Sequence, residues 1–294
     1  MFIDTHAHLN FPAFVKDRDK LIKECLKKDF WMLNVGTNLF TSKKAVEIAQ
    51  NYNEGVYASV GLHPINFNTG LTRMKIDESE TDKEESSFES EFDYEEYRKL
   101  ALPNFQDKNL EGRAPNKKVV AIGEIGLDYY WKPKTKIKLE KFKEAQNVLF
   151  RQQVKLAKEL DLPIIIHCRM AHNDLLAILR YLSTIYESKF KGVIHCFTGN
   201  WEQAKTYMEM GFHIGFNGII FKFDQEDIIK KIPLDRVLIE TDCPYLLPPK
   251  YKKKINDPMG VEYVAKEIAR IKKFTLKAVA DQTTQTAQKL FLKI

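Results

Sequence analysis

Six residues of this 294-residue chain have the types and spacing to hold metal ions. Asp4-Thr5-His6-Ala7-His8 carries two imidazoles two positions apart. On a strand, alternate residues share a face, so both rings can reach a divalent cation. Four further ligand-type residues each follow a short apolar run: Glu124 after Val119–Gly123, His167 after Ile164-Ile165-Ile166, His195 after Val193-Ile194, and Asp242 in Leu238-Ile239-Glu240-Thr241-Asp242. Packing gives an apolar strand no reason to end in such a residue. Four imidazoles and two carboxylates suit a pair of divalent ions bridged by Glu124, with positions left open for water. The chemistry expected is hydrolysis by an activated water, with Asp242 as the candidate proton acceptor. Mg2+, Mn2+ and Zn2+ all accept such ligands, so residue types do not choose among them.

The elements that must position these residues are legible as alternation. Strand-like runs fall at Met1–Asp4, Trp31–Val35, Val56–Val60, Val119–Ile122, Ile164–Ile166, Gly192–Ile194, His213–Phe216 and Val237–Ile239. Amphipathic, helix-like stretches separate most of them, and two more follow the last. Eight such repeats predict a (β/α)8 barrel over residues 1–294 as one domain, with the six residues at the C-terminal strand ends where barrels place their chemistry. No G-x-G-x-x-G follows the first strand, which disfavours a doubly wound nucleotide fold. One span breaks the rhythm after the third strand, an insertion at about 66–116. Within it, residues 77–96 hold eleven acids and one lysine. Tyr94, Tyr97 and Leu100 sit at helical spacing there, predicting a short docked helix.

Net charge is +6, from 46 basic and 40 acidic residues, so the chain outside residues 77–96 carries +16. A basic body suits a polyanion such as DNA. No run of about 18 apolar residues is present, and the first residues lack a secretory pattern. Four scattered cysteines without C-x-x-C fit a reduced cytosolic or nuclear protein and no thiolate zinc site. Neither a membrane nor an obligate protein partner is expected, and a monomer is favoured.

Other residues are candidate substrate contacts. His63, in Gly61-Leu62-His63-Pro64, would reach a phosphate or leaving group. Arg169, two beyond His167, could grip a phosphate in bidentate fashion. Lys254 ends a basic loop, Lys250 to Lys254, beyond Asp242. Tyr129, Tyr130 and Trp131 could stack unpaired bases. Glu240 and Asp4 share strand faces with Asp242 and His6 and are expected to orient ligand rings or to fill the barrel. Asp128 is a further candidate partner for a ligand. Cys168, Cys196 and Cys243 each follow a ligand and should turn outward as packed thiols.

In order and spacing, these motifs resemble the TatD family of metal-dependent deoxyribonucleases, among the amidohydrolase-like barrels. They run through Gly123-Glu124-Ile125-Gly126-Leu127-Asp128-Tyr129-Tyr130, His167-Cys168-Arg169, His195-Cys196-Phe197-Thr198-Gly199 and Glu240-Thr241-Asp242-Cys243-Pro244. The resemblance spans Phe2 to about Leu292 with the acidic insertion outside it. It implies divalent metals on His6, His8, Glu124, His167, His195 and Asp242, and hydrolysis of DNA phosphodiesters, often 3′ to 5′. One departure is Ile255-Asn256-Asp257-Pro258, where the family usually carries Arg-Asn-Glu-Pro; the arginine's role would pass to Lys254 or be lost. The alternative is an amidohydrolase acting on a small amide, ester or phosphodiester. Many of those bridge their metals with a modified lysine, whereas Glu124 supplies a carboxylate directly. A metal-bearing barrel that only binds nucleic acid would have no use for open metal positions.

Overall fold

The computed structural model describes residues 1–71, 88–102 and 118–292. Short segments rich in β-branched and aromatic residues form strands β1 (Phe2–Ala7), β2 (Phe30–Val35), β3 (Val56–Val60), β4 (Val119–Asp128), β5 (Ile164–Arg169), β6 (Gly192–Ile194), β7 (Phe212–Phe216) and β8 (Val237–Ile239). They lie in sequence order and each neighbouring pair is parallel. Parallel neighbours need crossovers, and helices supply them: α1 (Arg18–Lys27), α2 (Leu39–Gln50), α3 (Tyr94–Ala101), α4 (Lys136–Glu159), α5 (His172–Tyr186), α6 (Trp201–Glu209) and α7 (Glu226–Lys231), followed by α8 (Val261–Lys272) and α9 (Leu276–Ala287). The architecture is a nearly closed (β/α)8 barrel, as the alternation predicts.

Closure between the last strand and the first is made beyond β8. Asp242 N–H donates to the His6 carbonyl at 2.8 Å, and His8 N–H to the Cys243 carbonyl at 2.9 Å. The buried Asp4 carboxylate accepts from Thr241 N–H at 2.9 Å and Thr241 Oγ1 at 2.6 Å. Asp4 therefore ties the barrel seam instead of orienting a ring, which differs from the expectation above.

Two apolar layers sit on either side of the sheet. Ile3, Leu33, Val35, Ile165, Val193 and Leu238 fill the barrel interior together with Phe291, from the π-turn Gln288–Leu292. Ile164, Ile166, Ile194, Val237 and Ile239 face the larger layer beneath the helices. Strict alternation then carries Ile165 to His167, Val193 to His195, and Leu238 to Glu240 on the inner face. β1 and β4 do not alternate strictly. Their pairing shifts register between Asp4 and Ala7, and between Ile122 and Ile125. The shifts turn His6 and Glu124 inward although Ile3 and Ala121, three residues earlier in each strand, already face the interior.

Helix α4 shows how the outer layer fixes the strand ends. Its buried face reads Phe142, Gln146, Leu149, Phe150, Gln153, Val154, with two glutamines among apolar residues. Gln146 accepts from Asp128 N–H at 2.9 Å and donates to the Asp128 carbonyl at 3.0 Å. Gln153 clamps Leu62 in the same way, at 2.7 and 3.0 Å. Each satisfies backbone groups that leave the ladder just before the functional loops. Gln153→Leu strands a buried N–H and a buried carbonyl, so it should destabilise by about 2–4 kcal/mol. Urea denaturation of the variant beside wild type checks this.

The short helix expected in the insertion is α3, which buries Tyr97 and Leu100. Glu89 anchors the segment before it, accepting from Leu39 N–H at 2.6 Å and Tyr97 Oη at 2.9 Å. Tyr94 and Arg98 both bond Glu159 of α4. Residues 72–87 and 103–117 of the insertion lie outside the described residues.

Candidate metal centre

The six predicted ligands come together at the C-terminal mouth of the barrel. Glu124 is the hub. Its Oε1 lies 3.0 Å from His167 Nδ1, 3.5 Å from His63 Nε2 and 3.8 Å from His195 Nε2, and its Oε2 lies 3.3 Å from His6 Nε2. Asp242 stands opposite, with Oδ1 3.3 Å from His8 Nε2 and Oδ2 3.7 Å from His195 Nε2. His6 Nε2 and His8 Nε2 face each other at 3.1 Å. Ligand bonds of about 2.0–2.2 Å place two donors on one ion roughly 3–3.6 Å apart; these separations match that range except the two to His195, at 3.7 and 3.8 Å, which are slightly longer.

Tautomers make the donor set more specific. His8 Nδ1 donates to the Val35 carbonyl at 2.9 Å, which leaves Nε2 bare. His167 Nε2 lies 2.9 Å from Asp128 Oδ2 and donates to it, which directs Nδ1 at Glu124. His195 Nδ1 is 2.8 Å from Glu240 Oε1 and turns Nε2 inward. The outward nitrogens of His8 and His167 hydrogen-bond an acceptor and that of His195 lies against the Glu240 carboxylate, the arrangement by which proteins orient imidazole ligands. The residues present thus fit divalent cations.

Electrostatics follow from the same geometry. Burial would raise the Glu124 pKa, but the imidazoles of His63, His6, His167 and His195 hold it well below the usual carboxylate range. Burial likewise opposes ionisation of Asp242, yet His195 and His8 keep it far below that range. Burial would lower His167, but its hydrogen bonds to the Asp128 and Glu124 carboxylates lift it to about 9. Desolvation instead lowers His6. Burial and the neighbouring His195 thus oppose charging the His6 ring beside the others, a conflict that a bound cation in place of the protons would remove.

The centre floors a cavity of about 800 Å3 whose lining includes His63, Asp128, Tyr130, Arg169, Met170 and Phe223. Arg169 reaches it, but Nε donates to Asp128 Oδ2 at 2.7 Å and the guanidinium lies 4.4 Å over the Tyr130 ring. Two of the expected contacts are placed elsewhere. Tyr129 is buried, packing near Phe142 with Lys143 over its ring, because it follows the inward Asp128 and turns toward the helices. Its exposed neighbour Tyr130 takes the rim position. Lys254 is exposed and lines a separate hollow with Asp17 and Lys20. It is Lys253 that pairs with Asp257, at 2.5 Å, while Asn256 donates to the Thr241 and Tyr245 carbonyls at 3.1 and 2.8 Å. Cys168 and Cys243 are buried as expected. Cys196 is only half-buried and lines the cavity, since its φ of 45° interrupts the alternation that would turn it outward.

Sequence reading missed the cooperation around Glu240. One carboxylate oxygen lies beside His195 Nδ1, accepts Cys196 N–H at 2.7 Å and Asn217 Nδ2 at 3.2 Å, and is fully buried. The signal for Asn217 was a polar residue ending an apolar strand. Glu240→Gln removes the charge that fixes His195, so metal affinity should fall about 10–100-fold with the fold retained. Metal-buffered titrations followed by elemental analysis check it.

Comparison with known proteins places the chain among metal-dependent hydrolases. A family model described as TatD related DNase matches residues 3–292. An uncharacterized metal-dependent hydrolase, YabD, of Bacillus subtilis is 36% identical over 295 residues, covering 99% of each chain. The 3′-5′ ssDNA/RNA exonuclease TatD of Cronobacter sakazakii is 31% identical over 300 residues, covering 99% of this chain and 97% of its own. The crystal structure of YjjV, a TatD homolog from Escherichia coli, superposes with a TM-score of 0.73 at 28% identity, covering 99% of this chain and 98% of the other. Among the described residues no helix is long and apolar enough to cross a membrane. With the family model spanning nearly the whole barrel, and hydrolase relatives above 30% identity along its length, the chain belongs to the TatD family of metal-dependent hydrolases.

Proposed function

We propose that this chain is a metal-dependent deoxyribonuclease hydrolysing DNA phosphodiester bonds, 3′ to 5′, on single-stranded or frayed ends. It would work as a monomer, one barrel domain over residues 1–294, in the cytosol or nucleus. The observation that carries the reading is the ring set around Glu124 and Asp242, in which His8, His167 and His195 each turn one nitrogen toward these two ionised carboxylates while the other faces an acceptor behind the ring. His6, His8, Glu124, His167, His195 and Asp242 would hold two divalent cations. When bound, such cations supply a water acidified to near neutral pKa and a polarised phosphoryl oxygen. That the Cronobacter relative is a 3′-5′ ssDNA/RNA exonuclease by name supports the substrate class and polarity.

The chain's own groups define the rest of the step. Glu124 keeps its charge between the ligand rings and is almost closed to solvent. Asp242 opens further into the cavity, with 19% of its side chain exposed against 5% for Glu124, and so would accept the proton of the attacking water. Asp128 and Glu240 hold the rings of His167 and His195 in register. Arg169, fixed by Asp128 and Tyr130, would present its free guanidinium nitrogens to a phosphate. Tyr130, Met170 and Phe223 are more than half exposed at the cavity and would cover the base of the terminal nucleotide.

The test is degradation of 5′-labelled single-stranded DNA by purified protein with Mg2+, Mn2+ or Zn2+, and with EDTA. The expected result is a ladder shortening from the 3′ end, abolished by EDTA and in Glu124→Gln. Metal-loaded, folded protein that leaves DNA intact but hydrolyses a small amide or carboxylic ester would replace the reading with the amidohydrolase alternative.

A further inference from the structure

His63 belongs spatially to the ligand cluster yet differs from it in one respect. Its Nε2 is 3.5 Å from Glu124 Oε1, and its ring meets that of His167 edge to face at 4.3 Å. By proximity alone it could complete a metal triad with Glu124 and His167. The outward nitrogens of His8, His167 and His195 face acceptors, whereas that of His63 faces a donor. The backbone N–H of Ile65 donates to His63 Nδ1 at 3.0 Å. Asn66 N–H donates to the His63 carbonyl at 2.9 Å and His63 N–H to the Thr37 carbonyl at 2.8 Å, which fixes the loop and with it the ring. With Nδ1 occupied as an acceptor, the proton of the neutral ring sits on Nε2, inside the cavity.

The geometry points to His63 as a fixed hydrogen-bond donor to a non-bridging oxygen of the scissile phosphate, and neither a metal ligand nor a proton donor. An inward N–H has no lone pair for a cation. Giving the proton up would leave an imidazolate, so the group stabilises charge developing on the phosphoryl oxygens and keeps its proton. The substrate half of this assignment rests on the proposed phosphodiesterase activity.

Two variants separate the roles. A glutamine amide at residue 63 can still donate a hydrogen bond but cannot transfer a proton, while leucine does neither. His63→Gln should keep kcat on a bis(p-nitrophenyl) phosphate probe within about tenfold, and His63→Leu should lose about 10²–10³-fold. Both should bind as much metal as wild type by elemental analysis, with unchanged circular dichroism. In the Mg2+-loaded wild type, long-range 1H–15N spectra should show one ring, absent from His63→Gln, protonated at Nε2 and bare at Nδ1. Loss of metal from both folded variants would overturn the assignment in favour of a ligand. Glutamine as inactive as leucine, with metal retained, would overturn it in favour of proton transfer. A ring protonated at Nδ1 would also overturn it. Absence of all phosphodiester cleavage by wild type would sink the proposed activity instead, and the spectra and metal content would still decide which nitrogen His63 turns inward.

Discussion

Glu124→Gln should abolish activity, lowering kcat/KM by on the order of 10³-fold or more, and release most of the bound metal. The substitution is nearly isosteric, so the effect is electrostatic. Among the described residues Glu124 is the one carboxylate within 4 Å of His6, His63, His167 and His195 at once. Without its charge, the rings have only Asp242 inside the cluster to balance a cation. Elemental analysis and cleavage of labelled DNA measure both halves of the result. Wild-type metal content with activity lost would reassign Glu124 from ligand to reacting group.

A stability consequence accompanies it in metal-free protein. His167 titrates near 9 in the folded chain, against an ordinary value of 6.5, because Asp128 and Glu124 outweigh its burial. A raised folded pKa means stability that is present below about 6.5 and lost as pH rises through 9. The EDTA-treated wild type should therefore unfold at lower urea as pH rises across that window. In Glu124→Gln the slope should be shallower, since one of the two carboxylates responsible is gone. Urea midpoints at pH 6.5 and 9 for both proteins provide the comparison.

Asp242→Asn should lower kcat by about 10²–10⁴-fold while leaving the fold intact and much of the metal bound. Asp242 touches fewer rings than Glu124 and is the more open of the two carboxylates. His195 and His8 keep it ionised across the physiological range despite its burial. A carboxylate held that acidic is a weak base and takes a proton only from water that is already acidified. Asparagine can occupy the same position but cannot accept the proton. If metal content fell in parallel with kcat, Asp242 would be a ligand only, and the acceptor would have to be sought among the cavity's other groups.

The ligand-type residues were readable because barrels reserve strand ends for chemistry: a histidine or acid after an apolar run stands out at β5, β6 and β8. The same residues mark the ends of real strands, so one signal served for fold and site together. Glu124 was read as ending β4, yet the strand continues to Asp128. The extension brings Asp128 to His167 and Arg169 and makes it part of the centre. Tyr129 and Tyr130 differ by one position, and the alternation after Asp128 decides that Tyr129 packs beneath α4 while Tyr130 reaches the rim. Lys254 could not be placed from charge alone, because the loop after β8 turns it toward α1, away from the cavity.

By itself the sequence determined the eight-fold alternation, the parallel sheet and the six ligand-type residues, since each is a local pattern of residue type and period. The tertiary structure decided which faces those residues share. Register shifts in β1 and β4 move His6 and Glu124 across the sheet, and no period-2 count can supply them because they arise from pairing with neighbouring strands. It also decided which nitrogen each ring turns inward, which depends on Val35, Asp128, Glu240 and Ile65, partners from 2 to 45 residues away in sequence. A tautomer is fixed by whatever lies behind the ring, and only folding brings that atom there.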